Sequence, residues 1–243
     1  MLYDAHCHLD KLQNPKQAVQ EAQEAGLKLI VTNGLNPENN REALRLQEEF
    51  GIVKAALGLY PNDAIELSEE ELEAELAFIK QTKPFAIGEI GLDYHWDKEH
   101  KEKMREVFRK CLVLAQEISR PAIIHSRKAE EDVLAIVEEF SVVACLHCFS
   151  GSKKLIKQAA SAKHYFSVPA NVASSTHFRM LVELVPINQL LLETDSPYLG
   201  PSRGVENAPR NVQLAIPVIA QIKGLDEQET RTQLWLNQKR FFA

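Results

Sequence analysis

The segment DAHCHLD, residues 4–10, carries two histidines two positions apart at the end of an apolar stretch. Side chains of a strand alternate between its two faces, so a strand here places His6 and His8 on one face and Cys7 on the other. Imidazole nitrogen is the commonest side-chain ligand for metals. The spacing therefore predicts that His6 and His8 bind metal together at the end of the first strand.

Side chains that can bind metal also occur at the ends of other apolar segments of the chain. The residues that fall at these predicted strand ends are Glu89, His125, His147 and Asp195. Four histidines and two carboxylates exceed the needs of one tetrahedral ion, and they suit two divalent ions that share a bridging carboxylate. Imidazoles favour zinc, manganese or iron, and carboxylates also admit magnesium. We expect two divalent ions for each chain, with magnesium, manganese and zinc as the candidates.

The elements that must position these residues alternate between two kinds. Eight apolar segments are predicted strands: LYDAHCH, LKLIVTNG, IVKAALGLYP, PFAIGEIGLDY, RPAIIHSR, VVACLHCFSG, HYFSVPANV and QLLLETDSPY. Segments with helical periodicity lie between them, and Ser68 with Glu71 forms a capping box at the start of one. This alternation predicts an α/β fold, a single (β/α)8 TIM barrel. In that fold the carboxyl ends of all strands meet on one face, where distant residues can line one cavity.

Length and composition agree with this fold. The chain has 243 residues, of which 45% are hydrophobic and 26% are charged, and barrels of about 250 residues are common. No linker or low-complexity segment divides the sequence, so we expect one hydrolase domain over residues 1–243, with LGPSRGVENAPRN as its eighth loop between strand and helix. Neither a membrane segment nor a secretory leader is predicted, which favours a cytoplasmic location.

Six motifs in a fixed order extend over essentially the whole chain. They are DAHCHLD at 4–10, GEIGLDY at 88–94, IHSR at 124–127, HCFSG at 147–151, ETDSPYL at 193–199 and NQKRFF at 237–242. In this order they resemble the TatD metal-dependent hydrolases, a family of amidohydrolase-like barrels. The resemblance implies deoxyribonuclease or related phosphodiesterase activity. It also implies an assignment of the ligands, with one ion on His6, His8 and Asp195, the other on His125 and His147, and Glu89 bridging the two.

One position departs from the pattern of this family. Where its members commonly have GxHP after the third strand, this chain has GLYP, so Tyr60 takes the place of a histidine. The six predicted ligands are unaffected. The departure bears instead on substrate preference, because the residue is expected near the cavity.

The predicted chemistry is hydrolysis by a water that two cations activate. Cations about 3.5–4 Å apart lower the pKa of a bound water and offset the charge of a phosphodiester. Asp195 is expected to bind an ion and to accept the proton of that water, while Glu89 fixes the distance between the ions, so both are predicted to be catalytic. Arg127, two residues beyond His125, and Arg203 are the predicted substrate-binding residues, because guanidinium groups pair well with phosphate.

Charge limits the form of the expected DNA substrate. The chain has 28 Lys and Arg against 34 Asp and Glu, a formal net charge of -6, which argues against an extended basic surface for duplex DNA. We therefore expect single strands or frayed ends to be preferred, because a flexible end can enter a pocket at the barrel mouth. The sequence shows no sign of an obligate protein partner.

Two other interpretations remain open at this point. A site with two ions attacks carbonyl centres as well as phosphoryl centres, so a lactone, an amide or an ester is an alternative substrate. The third interpretation is a metal-binding regulatory protein without turnover. The complete set of predicted ligands disfavours it.

Overall fold

A parallel sheet of eight strands organises the molecule, and the computed structural model describes residues 1–202 and 204–243. Neighbouring strands of the sheet follow one another in the order of the chain. The strands are β1 (Leu2–Cys7), β2 (Leu27–Asn33), β3 (Val53–Leu57), β4 (Ala86–Asp93), β5 (Ala122–Arg127), β6 (Ala144–Leu146), β7 (Tyr165–Pro169) and β8 (Leu190–Glu193). Each lies within one of the eight apolar segments above. The predicted (β/α)8 barrel is therefore confirmed.

Helices connect the strands and cover the outside of the barrel. They are α1 (Pro15–Glu24), α2 (Pro37–Glu49), α3 (Pro61–Ala64), α4 (Glu69–Thr82), α5 (Lys101–Glu117), α6 (Glu130–Val137), α7 (Lys153–Ser161), α8 (Thr176–Leu184), α9 (Ala215–Lys223) and α10 (Glu227–Phe241). The predicted capping box begins α4, where the Ser68 hydroxyl accepts from the Glu71 N–H and the Glu71 carboxylate accepts from the Ser68 N–H. These bonds satisfy donors that the first helical turn leaves free.

The barrel closes where the first strand meets the last, at a seam between β1 and β8. The Asp195 N–H donates to the His6 carbonyl over 3.0 Å, and the His8 N–H donates to the Ser196 carbonyl over 2.7 Å. Beside them, the fully buried Asp4 carboxylate accepts the Thr194 N–H at 2.9 Å. Two of the predicted ligand segments are thus joined backbone to backbone.

The strands supply the core, as expected of a parallel sheet covered by helices. All six residues of β1 and all eight of β4 are buried, and continuous burial of this kind is typical of strands packed on both faces. The predicted eighth loop follows β8 and leads toward α9. Among the described residues, no helix combines the length and apolar character that crossing a membrane requires. That the chain is one domain over 1–243 stays a prediction.

Candidate metal centre

The six predicted ligands come together at the carboxyl ends of the strands. His8, Glu89, His125, His147 and Asp195 line a cavity of about 640 Å³. His6, the sixth member, is fully buried next to them. One detail differs from the sequence prediction, because Glu89 is the fourth residue of β4 and not its last. A carboxylate in the middle of a strand still reaches the others, since its side chain points into the barrel.

Glu89 occupies the middle of the cluster, and each of its carboxylate oxygens faces a different pair of histidines. Oε2 lies 3.3 Å from Nε2 of His8 and 3.5 Å from Nε2 of His6. Oε1 lies 2.8 Å from Nδ1 of His125 and 3.4 Å from Nε2 of His147. One carboxylate group therefore separates two sets of nitrogen donors.

Asp195 adds a second carboxylate on one side of this arrangement. Its Oδ1 lies 3.4 Å from Nε2 of His6 and 3.7 Å from Nε2 of His8. The residue has a positive φ of 57°, a conformation that aspartate tolerates better than most residues. Its side chain is 14% exposed, so it remains in reach of water from the cavity.

The donor atoms fit divalent cations. Within the described part of the chain, the buried Nδ1 and Nε2 of His6 have no hydrogen-bond partner, although buried polar atoms are normally paired. Three sets drawn from the six predicted ligands have donor atoms within 4.8 Å of one another: His6, His8 and Glu89; His6, His147 and Asp195; Glu89, His125 and His147. A fourth set in the described residues adds His147, Cys148 and Glu193. Imidazole and carboxylate donors at these separations can hold such ions.

Three of the histidines place the ring nitrogen that does not face Glu89 next to a hydrogen-bond acceptor. Nδ1 of His8 lies 3.1 Å from the Asn33 carbonyl. Nδ1 of His147 lies 3.0 Å from Oε2 of Glu193, and Nε2 of His125 lies 3.0 Å from Oδ2 of Asp93. Partners of this kind fix the orientation of a metal-binding ring and increase its basicity. Asp93 and Glu193 were not among the residues predicted from the sequence, although they lie in the motifs GEIGLDY and ETDSPYL.

Electrostatics favours the charged forms of His147 and Glu193 despite their burial. Burial alone lowers the pKa of a histidine, but for His147 the neighbouring carboxylates of Glu193 and Glu89 outweigh it and raise the pKa to about 10. Burial likewise favours the neutral form of Glu193, yet His147 lowers the pKa of this carboxyl to about 2. Without a bound cation, protons on the imidazoles offset the negative charge of the carboxylates. Cations that bind here must displace them, so affinity for the metal should rise with pH.

Tyr60, the residue that departs from the family pattern, lies beside His125 and supports its partner. The Tyr60 hydroxyl donates to Oδ2 of Asp93 over 2.7 Å, and its ring centroid lies 5.0 Å from that of His125. Burial raises the pKa of Asp93, but the hydrogen bonds of this carboxylate with His125 and Tyr60 outweigh burial and lower the pKa to about 2. The phenol therefore completes a chain from Tyr60 through Asp93 to His125.

We expect Asp93→Asn to weaken metal affinity about 10- to 100-fold, the usual cost of losing a carboxylate that orients a histidine ligand. Tyr60→Phe keeps that carboxylate and should cost much less, which makes it the matched control. Titration of the metal-free proteins with manganese, followed by calorimetry, measures both effects. Equal affinities for Asp93→Asn and the unmodified protein would contradict the orienting role.

The two predicted substrate-binding arginines have different outcomes. Arg127 lines the cavity, and its guanidinium carbon lies 5.3 Å from the ring centroid of Trp96. Arg203 lies outside the described residues. Arg210, in the predicted eighth loop, forms an ion pair with Glu21 at 2.8 Å and does not line the cavity.

The family of the chain follows from a comparison of its whole length. Residues 3–243 match the family model described as TatD related DNase. The chain belongs to the TatD family. The resemblance that the six motifs indicated is thereby confirmed, and with it the broad activity of a metal-dependent hydrolase.

Relatives of this TatD protein cover nearly its full length. The metal-dependent hydrolase YabD of Bacillus subtilis is 35% identical over 100% of this chain and 99% of that protein. Human deoxyribonuclease TATDN3 is 30% identical over 94% of this chain and 89% of its own length. The crystal structure of YJJV, a TatD homologue of Escherichia coli, superposes with a TM-score of 0.90 at 26% identity, covering 98% of this chain and 96% of that chain.

Proposed function

We propose that this TatD protein is a deoxyribonuclease that hydrolyses phosphodiester bonds with two divalent ions. The observation that carries the proposal is the position of Glu89, whose two oxygens face two separate pairs of histidines. His6, His8 and Asp195 form the set for one ion, and His125 with His147 form the set for the other. Magnesium, manganese and zinc are the candidate ions.

The protein side chains have distinct tasks in this reaction. Bound divalent ions supply Lewis acidity, which activates water and offsets phosphoryl charge. Asp195 accepts the proton of the attacking water, because it is the carboxylate that stays partly exposed to the cavity. Glu89 keeps the two donor sets at a fixed separation. Arg127 is the one Lys or Arg side chain among the described residues that line the cavity, and we assign it to a phosphate oxygen of the substrate.

DNA is the proposed substrate, on the support of the family description and of the name of the human relative. A strand end suits the cavity better than the middle of a duplex. An internal duplex phosphate reaches a deep pocket only if the helix unstacks locally, which costs a few kcal/mol per step. The net charge of -6 offers little compensation, because phosphate contacts by basic residues provide most non-specific affinity for DNA.

We expect metal-dependent cleavage to be fastest on a linear single strand, slower on a blunt duplex and slowest on a covalently closed duplex circle. Initial rates on the three forms, at matched sequence and fixed salt, measure this order for each of the three metals. A chelated sample is the control. Closed circles cleaved as fast as single strands would contradict the preference for ends.

The same assay separates the proposed activity from its alternative. A panel of lactones, amides and esters is measured beside the oligonucleotides with the same metal-loaded sample. Turnover of a panel member without any cleavage of DNA would replace the deoxyribonuclease by a hydrolase of carbonyl substrates.

A further inference from the structure

The mouth of the metal cavity carries two aromatic side chains that are largely exposed. Trp96, in the turn after β4, is 65% exposed, and Tyr198, in the segment after β8, is 52% exposed. Both line the same cavity as the metal ligands. The chain has two tryptophans, and one of them therefore stands open to solvent at the rim of the site.

The turn that carries Trp96 is anchored to the metal centre. Oδ1 of Asp93 accepts the His95 N–H at 2.9 Å and the Trp96 N–H at 3.4 Å, while Oδ2 of the same carboxylate contacts His125. The backbone that carries the indole is thus tied to the carboxylate that contacts His125. A turn held in this way has little backbone freedom to lose when a ligand covers the ring.

Arg127 gives the indole a charged neighbour. Its guanidinium carbon lies 5.3 Å from the centroid of the Trp96 ring, within the range of a cation–π contact. A guanidinium next to an aromatic face recurs where proteins bind single-stranded nucleic acid, because the cation pairs with phosphate while the ring stacks on a base. Neither group alone requires a nucleotide. Together, on the rim of a phosphodiesterase pocket, they match the base and the phosphate of one nucleotide.

We propose that Trp96, with Arg127 behind it, is a stacking platform for the nucleobase next to the phosphate that is cut. This inference rests on the proposed nuclease function and deepens it. Bases within a duplex are already stacked and paired, and they offer no free face to the indole. Trp96 thus selects substrates whose terminal bases are unstacked. Tyr198 lines the same cavity, with its ring centroid 6.0 Å from that of His8.

Removal of the ring tests this role. We expect Trp96→Ala to lower kcat/KM on an oligothymidylate single strand about tenfold, mainly through KM, which is within the range for the loss of one base stack. Trp96→Phe should retain most of the activity. Leu236→Ala, on α10 and outside the cavity, is the control for loss of an exposed apolar side chain.

The decisive comparison uses a second strand in which the two terminal residues at each end are abasic tetrahydrofuran units. Without a terminal base the platform has nothing to stack on, so Trp96→Ala and the unmodified protein should cleave this strand at equal rates. Equal losses on both strands, or no loss on either, would overturn the proposal.

A binding measurement keeps the proposal independent of cleavage. Trp235→Phe removes the tryptophan that packs against Tyr3, with ring centroids 6.2 Å apart, and leaves Trp96 as the fluorescent reporter. Hexathymidylate with phosphorothioate linkages, added with magnesium, should quench this fluorescence to saturation. Quenching without cleavage of any DNA would refute the nuclease and leave the stacking site standing. Cleavage without quenching would refute the stacking site and leave the nuclease.

Discussion

Glu89→Gln should lower kcat at least about a hundredfold with saturating metal. Loss of a group that only orients a ligand already costs about 10- to 100-fold, and Glu89 stands between both donor sets. The amide presents one oxygen where the carboxylate presents two, so it can no longer face both pairs of histidines as a charged group. Steady-state rates on a single-stranded oligonucleotide, with metal content determined on the same sample, measure the change.

Stability should change far less than rate in this variant, because the side chain keeps its size and the surrounding core is untouched. Glu75→Gln is the matched control, since Glu75 is also 2% exposed but pairs with Arg41 on the barrel exterior. We expect that control to lose stability in thermal melts and to keep its kcat. If Glu89→Gln retains more than about a tenth of kcat, a loss below about 1.4 kcal/mol, the bridging role must be dropped.

Asp195→Asn is expected to reduce kcat by about 10²- to 10⁴-fold, the range for removal of a positioned proton acceptor. Asparagine is well suited as a replacement because, like aspartate, it tolerates the positive φ of 57° found at this position. The backbone bond from this residue to His6 should therefore survive. What disappears is the negative charge, and with it the capacity to accept a proton from water.

Metal affinity and the rate at saturating metal separate the two tasks of Asp195. If the variant binds its metal as tightly as the unmodified protein but stays slow at saturating metal, the residue acts as the base. If the rate returns to normal when metal is raised, Asp195 serves as a ligand alone and the base must be sought elsewhere.

Much of the site could be predicted because residues at the carboxyl ends of barrel strands lie on one face of the molecule, however far apart they are in the sequence. The alternation of side chains along β1 explains why His6 and His8 both join the cluster, and the apolar segments located all eight strands. Glu89 lines the same cavity even though it lies in mid-strand, since an inward-facing residue of a barrel strand can still reach the barrel mouth.

The carboxylates behind the histidines could not be assigned in the same way. Glu193 and Asp195 stand two positions apart in one motif, and strand alternation alone would place both in the same role. The positive φ at Asp195 turns the chain after β8, so only one of the two faces the cavity while the other contacts His147. Likewise nothing in GLDY indicates that Asp93 contacts both His125 and the turn of Trp96, because those contacts depend on distances between loops.

The seam between β1 and β8 makes the metal centre a late product of folding. His6 and Asp195 lie 189 positions apart in the sequence, and contacts of such high sequence separation require a costly loop closure. During synthesis β1 cannot form the seam until the segment after β8 has left the ribosome, and its histidines stay exposed until then. Ions that bind across this seam stabilise only the completed barrel. Divalent ions at the proposed site would therefore act as a check on assembly, since a chain that ends before Asp195 lacks one of the proposed ligands.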